Sequence, residues 1–263
     1  IGGSQIMWLQ EHVVLHHLHT GDPLMDPDAQ LAPAMRGHSE APWYPWMVFQ
    51  KFYLLLAEAG YGIVPLFMAF GEVAAWRHKF DSNYKLSPLA FWPWGVQSFG
   101  MHCLFYVRHF VLPFLVQPEG GDLFWLSAKI ATTIVAGGFY LAFFFFLSHN
   151  FDGVHFERSG TPEGALEYPA NSSFLRQQVN ASSNVGGAWL CFLNGGLNYQ
   201  IEHHLFPRVA HSHYPAIAPV VKRFVEQGGR CRYTHFPTVL DNLSSVFAYL
   251  DKTGAGPATT KHD

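Results

Sequence analysis

The stretch Leu123–Leu147 reads LFWLSAKIATTIVAGGFYLAFFFFL, and it decides the architecture of this chain. A helix rises about 1.5 Å per residue, so about 20 apolar residues cross the hydrocarbon layer of a bilayer. Two further apolar stretches, Phe52–Phe70 and Leu89–Val116, precede it. The sequence therefore predicts an all-α, integral membrane protein.

The second and third apolar stretches are predicted to form a transmembrane hairpin over residues 89–147. The connection before the hairpin carries basic residues, among them Arg77 and Lys79, whereas the connection inside it has no Lys or Arg. By the positive-inside rule, the first connection is cytosolic and the second lies on the far side. A cytosolic helical cap is expected to hold the remaining chain, and the polar end, residues 253–263, is expected to be a flexible tail.

Composition excludes several classes of function. Charged residues make up 13% of the 263 residues, about half the ~25% that is usual in soluble domains. The formal net charge of −3 provides no basic surface for nucleic acid. The 3 cysteines are far apart and form no CxxC pair, which argues against a disulfide framework or a thiolate zinc site. The 16 histidines equal the Lys and Arg combined, and a membrane span alone does not explain them.

Half of these histidines fall into two clusters. The clusters are His12, His16, His17 and His19, and His203, His204, His211 and His213. Positions i and i+4 share one face of a helix, so His12 and His16 can present two imidazoles to one metal, with His17 available to a second. A third candidate is His149, directly after the third apolar stretch. Imidazole suits iron, zinc, copper and nickel, and the pattern indicates a redox metal next to a membrane.

The clusters also constrain the topology. Both must face the same side to build one site, so the chain between them crosses the membrane an even number of times. The hairpin supplies two crossings, and Phe52–Phe70 is therefore expected not to cross. Its Glu58, Gly60, Gly62 and Pro65 agree with that interpretation. The metal site is then expected on the cytosolic face.

The segment Gln200–Pro207, QIEHHLFP, closely resembles the third histidine box of membrane fatty acid desaturases. More narrowly, it is similar to the front-end type, in which the box begins with Gln. The segment His12–His17, HVVLHH, resembles the second box. The resemblance covers roughly Trp8 to Phe236, and it identifies the chain as a partial fatty acid desaturase domain.

The resemblance implies a site of two iron ions held by three histidine boxes on the cytosolic face of four transmembrane helices. Oxygen and two electrons would remove two hydrogens from an unsaturated fatty acyl chain, in polyunsaturated fatty acid biosynthesis. Cytochrome b5, a haem protein, and its reductase would supply the electrons at the endoplasmic reticulum membrane. By match to the boxes, the ligands would be His12, His16, His17, Gln200, His203 and His204.

Other residues have expected roles near the metal. His149 resembles an additional ligand that follows the last transmembrane helix in this family. Ligand imidazoles need partners for their second ring nitrogen, and Asp26, Asp28 and Glu202 are candidates for that role. Solvated carboxylates would be the alternative interpretation of these three.

The chain departs from the family pattern in one respect. No first histidine box precedes the second, no HPGG haem motif is present, and the first two transmembrane helices are not found. We therefore interpret the chain as a C-terminal portion from which a cytochrome b5 domain is absent, and the sequence leaves open whether a missing N-terminal part carries that domain in fused form. By itself it is expected to bind iron incompletely and not to turn over.

Alternatives remain at this point. A sphingolipid long-chain-base desaturase shares the Gln-containing box, and a membrane hydroxylase would carry similar boxes. A His-rich membrane metal transporter belongs to another class, as does an inactive relative with a scaffolding role. The sequence leaves open the carbon attacked, an acyl-CoA against a phospholipid substrate, and the oligomeric state.

Overall fold

The computed structural model describes residues 8–23, 25–63, 94–118, 121–155, 174–227 and 231–256. Within these residues the chain is mostly helical and has almost no strand, which confirms the helical class predicted from the sequence. Two short strands, β1 (Asn184–Val185) and β2 (His235–Phe236), form a parallel pair in which Asn184 lies beside His235 and Val185 beside Phe236.

The helices of the described residues are numbered α1 to α10 in chain order. They are α1 (the π-helical segment Leu9–His16, continued by His17–His19), α2 (Gln50–Gly60), α3 (Trp94–Tyr106), α4 (Leu112–Leu115), α5 (Leu123–His149), α6 (Phe174–Asn180), α7 (Ala188–Asn194), α8 (Gln200–Leu205), α9 (Tyr214–Gln227) and α10 (Val239–Gly254). The π-helical segment Val107–Val111 joins α3 to α4. Single 3-10 turns occur at Pro27–Ala29, Pro45–Phe49, Tyr61–Ile63 and His211–His213.

Two compact units divide the chain. One comprises Ile1–Val13 and Leu55–Phe143, and the other comprises Val14–Leu54 and Phe144–Asp263. The first unit contains most of the apolar stretches. The second contains the histidine pairs of both predicted boxes and the last turns of α5.

Helix α5 is the one helix among the described residues that is long and apolar enough to cross a membrane. The preceding stretch is helical from Trp94 to Leu115, but the π-helical segment interrupts its regular geometry. Residues 89–93 of the predicted hairpin lie outside the described residues. The hairpin therefore stays a prediction, whereas its second helix has the length that the sequence indicates.

The first apolar stretch contacts α5 through glycine. A Cβ added to Gly138 would clash with the backbone nitrogen of Gly62, and one added to Gly62 would clash with the backbone of α5, so neither position has room for a side chain. Small residues permit such close approach between membrane helices. Residues 64–70 of this stretch lie outside the described residues, and the expectation that it does not cross stays a prediction.

The core of the second unit lies under α8. Ile201 of α8 is fully buried in an apolar cluster with Val179 of α6 and with Val221 and Val225 of α9. Burying side chains of this size stabilises by about 1.5–3 kcal/mol each. This packing fixes the helix that carries the predicted third box.

Helix α10 is the last helix of the second unit. Its N-terminus is capped by Thr238, whose hydroxyl accepts from the Asp241 amide at 3.2 Å, as in a capping box. Near its C-terminus, the buried Gln50 amide donates to the Leu250 carbonyl and to the Thr253 hydroxyl, both at 2.9 Å. The helix thus extends to Gly254, two residues into the segment predicted as a tail, and residues 257–263 lie outside the described residues.

Candidate metal centre

Helix α1 presents the histidines of the predicted second box. His16 is 1% exposed, and its Nδ1 lies 3.0 and 3.1 Å from the two carboxylate oxygens of Asp26. The Asp26 carboxylate is itself held by the Gly21 amide at 2.6 Å and the Asp28 amide at 2.9 Å. Asp28 Oδ2 lies 3.4 Å from His16 Nδ1. The ring of His16 is therefore oriented by a carboxylate that two backbone amides fix.

Helix α8 presents the predicted third box on the side opposite its apolar contact. His204 is buried, and its Nδ1 lies 2.9 Å from the Gln178 carboxamide oxygen. The helix is anchored from its other side by Glu202, whose carboxylate accepts from Asn184 at 2.7 Å and from Tyr233 at 2.8 Å. Glu202 therefore fixes α8, and its described hydrogen bonds go to these residues instead of to an imidazole.

The last residue of α5 completes a group of three rings, His16, His149 and His204. The Nε2 atoms of His16 and of His149 each lie 3.3 Å from the Nε2 atom of His204. The Nδ1 atom of His149 lies 2.9 Å from the Ala181 carbonyl. We call these three side chains the histidine triad.

The chemistry of the triad fits a cation. Each Nδ1 faces an oxygen acceptor, on Asp26, Ala181 or Gln178, so each ring keeps its proton on Nδ1 and its lone pair on Nε2. Three Nε2 atoms then converge in a buried space, an arrangement that suits a bound cation. Imidazole donors oriented through their other nitrogen are typical of protein sites for iron and zinc.

A second pair of rings lies beside the triad. His17 Nε2 is 3.1 Å from His203 Nε2, and the rings of His17 and His204 stack with centroids 4.5 Å apart. The Tyr214 hydroxyl lies 3.4 Å from His203 Nδ1. His17 and His203 therefore form a second potential metal-binding group next to the first.

Burial controls the charge of these rings. It lowers the pKa of His17 to about 3 and that of His203 to about 4, and it lowers the pKa of His204 well below the usual value. These rings are neutral at physiological pH, as metal ligands must be. Burial also opposes protonation of His16, but the Asp26 carboxylate outweighs it and raises the pKa of that ring.

Two further predicted ligands are Gln200, which lies beside His149, and His12, which lies on α1 with His16. Gln200 is fully buried, its Nε2 lies 3.0 Å from His149 Nε2, and its oxygen has no hydrogen-bond partner within the described part of the chain. His12 precedes His16 by one turn of α1, is buried, and stacks on Trp8 with centroids 4.3 Å apart.

Sequence reasoning missed the partners on residues 178–181. Gln178 and the Ala181 carbonyl contact His204 and His149, yet no charge or spacing distinguishes them. In and around this segment the sequence has several uncharged polar residues, among them Gln177, Gln178, Ser182 and Asn184. The structure buries all four completely. Such side chains require partners, but the sequence does not say which.

Comparisons with known proteins show the family to which this sequence belongs. The family model described as "Fatty acid desaturase" matches residues 1–236. An acyl-lipid (7-3)-desaturase of Diacronema lutheri is 46% identical over 99% of this chain and 56% of its own length. An acyl-lipid (7-3)-desaturase of Rebecca salina is 44% identical over 98% of this chain and 55% of its own.

More distant relatives bear related names. An acyl-lipid (8-3)-desaturase of Physcomitrium patens is 33% identical over 97% of this chain and 51% of its own length. The chain spans about half the length of these curated relatives. No solved structure is significantly similar to it. The match over residues 1–236 and these identities show that the chain belongs to the fatty acid desaturase family.

Proposed function

We propose that this chain carries the iron-binding part of a front-end acyl-lipid desaturase. The observation that carries the proposal is the histidine triad, in which three buried Nε2 atoms converge while each Nδ1 faces an oxygen acceptor. Family membership supports an oxidoreductase that acts on lipids, and the named relatives support an acyl chain linked to a lipid as the substrate.

Two iron ions are proposed, one for each group of rings. The triad would hold the first, with Gln200 adjacent to it, and His17 and His203 would contribute to the second. His12 lies four residues before His16 in the same π-helical segment and is buried, which supports it as a further ligand. Histidines of a first box, which the resemblance implies, would complete the coordination.

The residues of this chain prepare the site rather than carry out proton transfer. The acceptors on Asp26, Gln178 and Ala181 hold each ligand ring in one tautomer, and burial excludes water. The Glu202 carboxylate fixes α8 through hydrogen bonds from Asn184 and Tyr233. These bonds hold the next two residues of the helix, His203 and His204, in position for the metal. When bound, iron supplies the oxidising chemistry needed to break an unactivated methylene C–H bond, which side-chain acids and bases cannot break.

Partners and location follow as proposals from the family resemblance. Cytochrome b5 and its reductase would supply electrons, at the cytosolic face of the endoplasmic reticulum membrane. The family is membrane-integral, and α5 supports one crossing. His149 is the last residue of α5, and its Nε2 lies 3.3 Å from that of His204, which supports a site at the C-terminal end of that helix.

The alternatives receive less support. The relatives described above are named for acyl lipids, which favours a fatty acyl substrate over a sphingoid base. A metal transporter must exchange its ion with water, whereas the triad rings are 1%, 6% and 3% exposed. Burial of this degree is typical of a retained cofactor.

The test is lipid analysis in a host that expresses the complete desaturase and receives unsaturated fatty acids. We expect a new double bond on the carboxyl side of an existing one in lipid-linked acyl chains, and iron in the purified protein. His204→Ala should abolish the product, whereas His213→Ala should leave it unchanged, because His213 is exposed. A new double bond only in ceramide bases, or full activity of His204→Ala, would contradict the proposal.

A further inference from the structure

Gln178 of α6 lies between the two histidine boxes. Its side chain is fully buried, and its oxygen lies 2.9 Å from both His204 Nδ1 and the Thr20 hydroxyl. Thr20 directly follows α1, and its hydroxyl also lies 2.8 Å from the His16 carbonyl. One carboxamide oxygen therefore contacts a ligand of the third box and the segment that ends the second.

The direction of these hydrogen bonds defines the tautomer of His204. A carboxamide oxygen only accepts, so the bond at 2.9 Å requires the proton of His204 on Nδ1. Its Nε2 then carries a lone pair, and that atom faces both His16 and His149 at 3.3 Å. The Thr20 hydroxyl lies further from the same Nδ1, at 3.3 Å, so the Gln178 oxygen is the nearer acceptor. Without it, the proton could move to Nε2 and remove this lone pair from the metal site.

We propose that Gln178 is a positioning residue for the metal centre, holding His204 in its ligand tautomer and joining the second box to the third through Thr20. The inference rests on the proposed function, because it assigns a role towards the same iron site. Gln178 acts through His204, and it is neither a ligand nor a catalytic residue.

The choice of an amide has a physical reason. His16 already has a carboxylate partner in Asp26, whereas His204 and His149 have neutral acceptors in Gln178 and the Ala181 carbonyl. A second carboxylate in this buried space would add a charge that must be desolvated. The Gln178 amide nitrogen has no hydrogen-bond partner within the described residues, so its described contacts use the oxygen.

The adjacent Gln177 provides a matched control. It is also fully buried on α6, and its amide donates to the Thr20 carbonyl at 3.1 Å. Gln177→Leu therefore removes a buried amide from the same helix turn while it leaves the acceptor of His204 in place. Any loss that follows from disturbed packing alone should be similar in Gln177→Leu and Gln178→Leu.

The experiment measures Co²⁺ affinity and absorption in the complete, purified, metal-free desaturase, without reference to turnover. Removing a hydrogen-bond partner of a ligand typically costs about 10–100-fold in metal affinity. We expect Gln178→Leu to weaken Co²⁺ binding by that factor relative to Gln177→Leu. Gln178→Glu keeps an acceptor of equal length, and it should retain affinity within about threefold while shifting the Co²⁺ absorption.

The outcomes separate the two proposals. Failure of the wild-type protein to bind Co²⁺ through these histidines would remove the proposed function, and the role of Gln178 with it. Wild-type binding with equal affinities for Gln178→Leu and Gln177→Leu would overturn only the role of Gln178. If Gln178→Leu does not fold, Gln178→Glu decides, since an affinity loss or an unchanged spectrum in a folded Glu variant would also overturn it.

Discussion

The two ends of α5 have similar apolar sequences and opposite surroundings. At the N-terminal end, the side chains of Leu123, Phe124 and Trp125 are 61%, 70% and 61% exposed. At the C-terminal end, Leu147 and Ser148 are fully buried and His149 is 6% exposed. One helix therefore passes from an exposed apolar surface to a packed protein interior.

Apolar side chains have different roles at the two ends of α5. Exposed apolar side chains at the start of α5 suit a lipid environment, in which no protein partner is needed. At the other end, the same residue types are covered by protein, and the Ser183 amide donates to the Ser148 carbonyl at 2.9 Å. The covered end carries the ligand candidate His149, whose imidazole is buried and lies 2.9 Å from the Ala181 carbonyl.

The largest expected effect is at His149. His149→Ala removes one of the three converging Nε2 atoms. We expect activity to fall by more than about 100-fold, because loss of a ligand should exceed the ~10–100-fold that loss of a ligand's hydrogen-bond partner costs. Iron content, measured by elemental analysis of the purified complete protein, should fall together with activity.

The same helix offers the control for this change. Tyr140 is 45% exposed and lies in the other unit, so Tyr140→Ala should leave iron content close to that of the wild type. Equal iron in all three proteins would show that the buried end of α5 does not bind the metal. The two ends of α5 would then differ in how they are packed and not in metal binding.

The second effect is on stability. Leu147 is fully buried, so Leu147→Ala leaves a cavity. We expect it to lower the free energy of unfolding by about 2–5 kcal/mol, as is typical of a truncated buried leucine. Leu123→Ala removes an exposed side chain and should cost less than about 0.5 kcal/mol. Denaturant unfolding in detergent, followed by tryptophan fluorescence, would distinguish the two, and similar losses would contradict the assigned difference in packing.

Much of this organisation could be predicted from particular residues. The length and apolarity of Leu123–Leu147 predict α5, and the periodicity of His12, His16 and His17 predicts a helix with imidazoles on it. The motif QIEHHLFP indicates the family, which the comparisons confirm. These features are local in sequence, so they do not depend on how distant segments meet.

The remainder depends on contacts between distant segments. The pairing of His16 with His204 joins positions 188 residues apart, and no periodicity predicts it. Asp26, Asp28 and Glu202 are equivalent as candidate carboxylates, yet Asp26 contacts His16 whereas Glu202 contacts Asn184 and Tyr233. Tertiary packing decides between them, because a buried carboxylate binds whichever donors the fold brings to it.

A charge in the middle of α5 tests whether its exposed face contacts lipid. Val135 is 37% exposed, and Lys at a mid-bilayer position costs about 2.5–3.5 kcal/mol in membrane insertion. We expect Val135→Lys to reduce the inserted fraction, and Val135→Leu to leave it unchanged, in a translocation assay with glycosylation sites on either side. Equal insertion of both variants would show that this face does not lie in hydrocarbon.

The smallest effect compares two hydroxyls that make the same local bond. Ser148 Oγ donates to the Phe144 carbonyl, and Thr133 Oγ1 donates to the Lys129 carbonyl, both at 2.9 Å and four residues back along α5. Ser148 is fully buried, whereas Thr133 is exposed to its surroundings. Within a helix, such a bond contributes little by itself, since the carbonyl already accepts from the backbone.

Replacing each residue by Ala therefore compares a buried hydroxyl with an exposed one, and the buried Ser148 hydroxyl also lies 3.5 Å from the Leu197 carbonyl. Ser148→Ala leaves a small void among packed side chains and should cost about 1 kcal/mol. Thr133→Ala should change the unfolding free energy by less than about 0.5 kcal/mol, since an exposed position is tolerant and Ala favours the helix. Denaturant unfolding of both variants measures the two costs. A larger cost for Thr133→Ala than for Ser148→Ala would mean that a protein partner covers the exposed part of α5, because an uncovered hydroxyl has no packing to disturb.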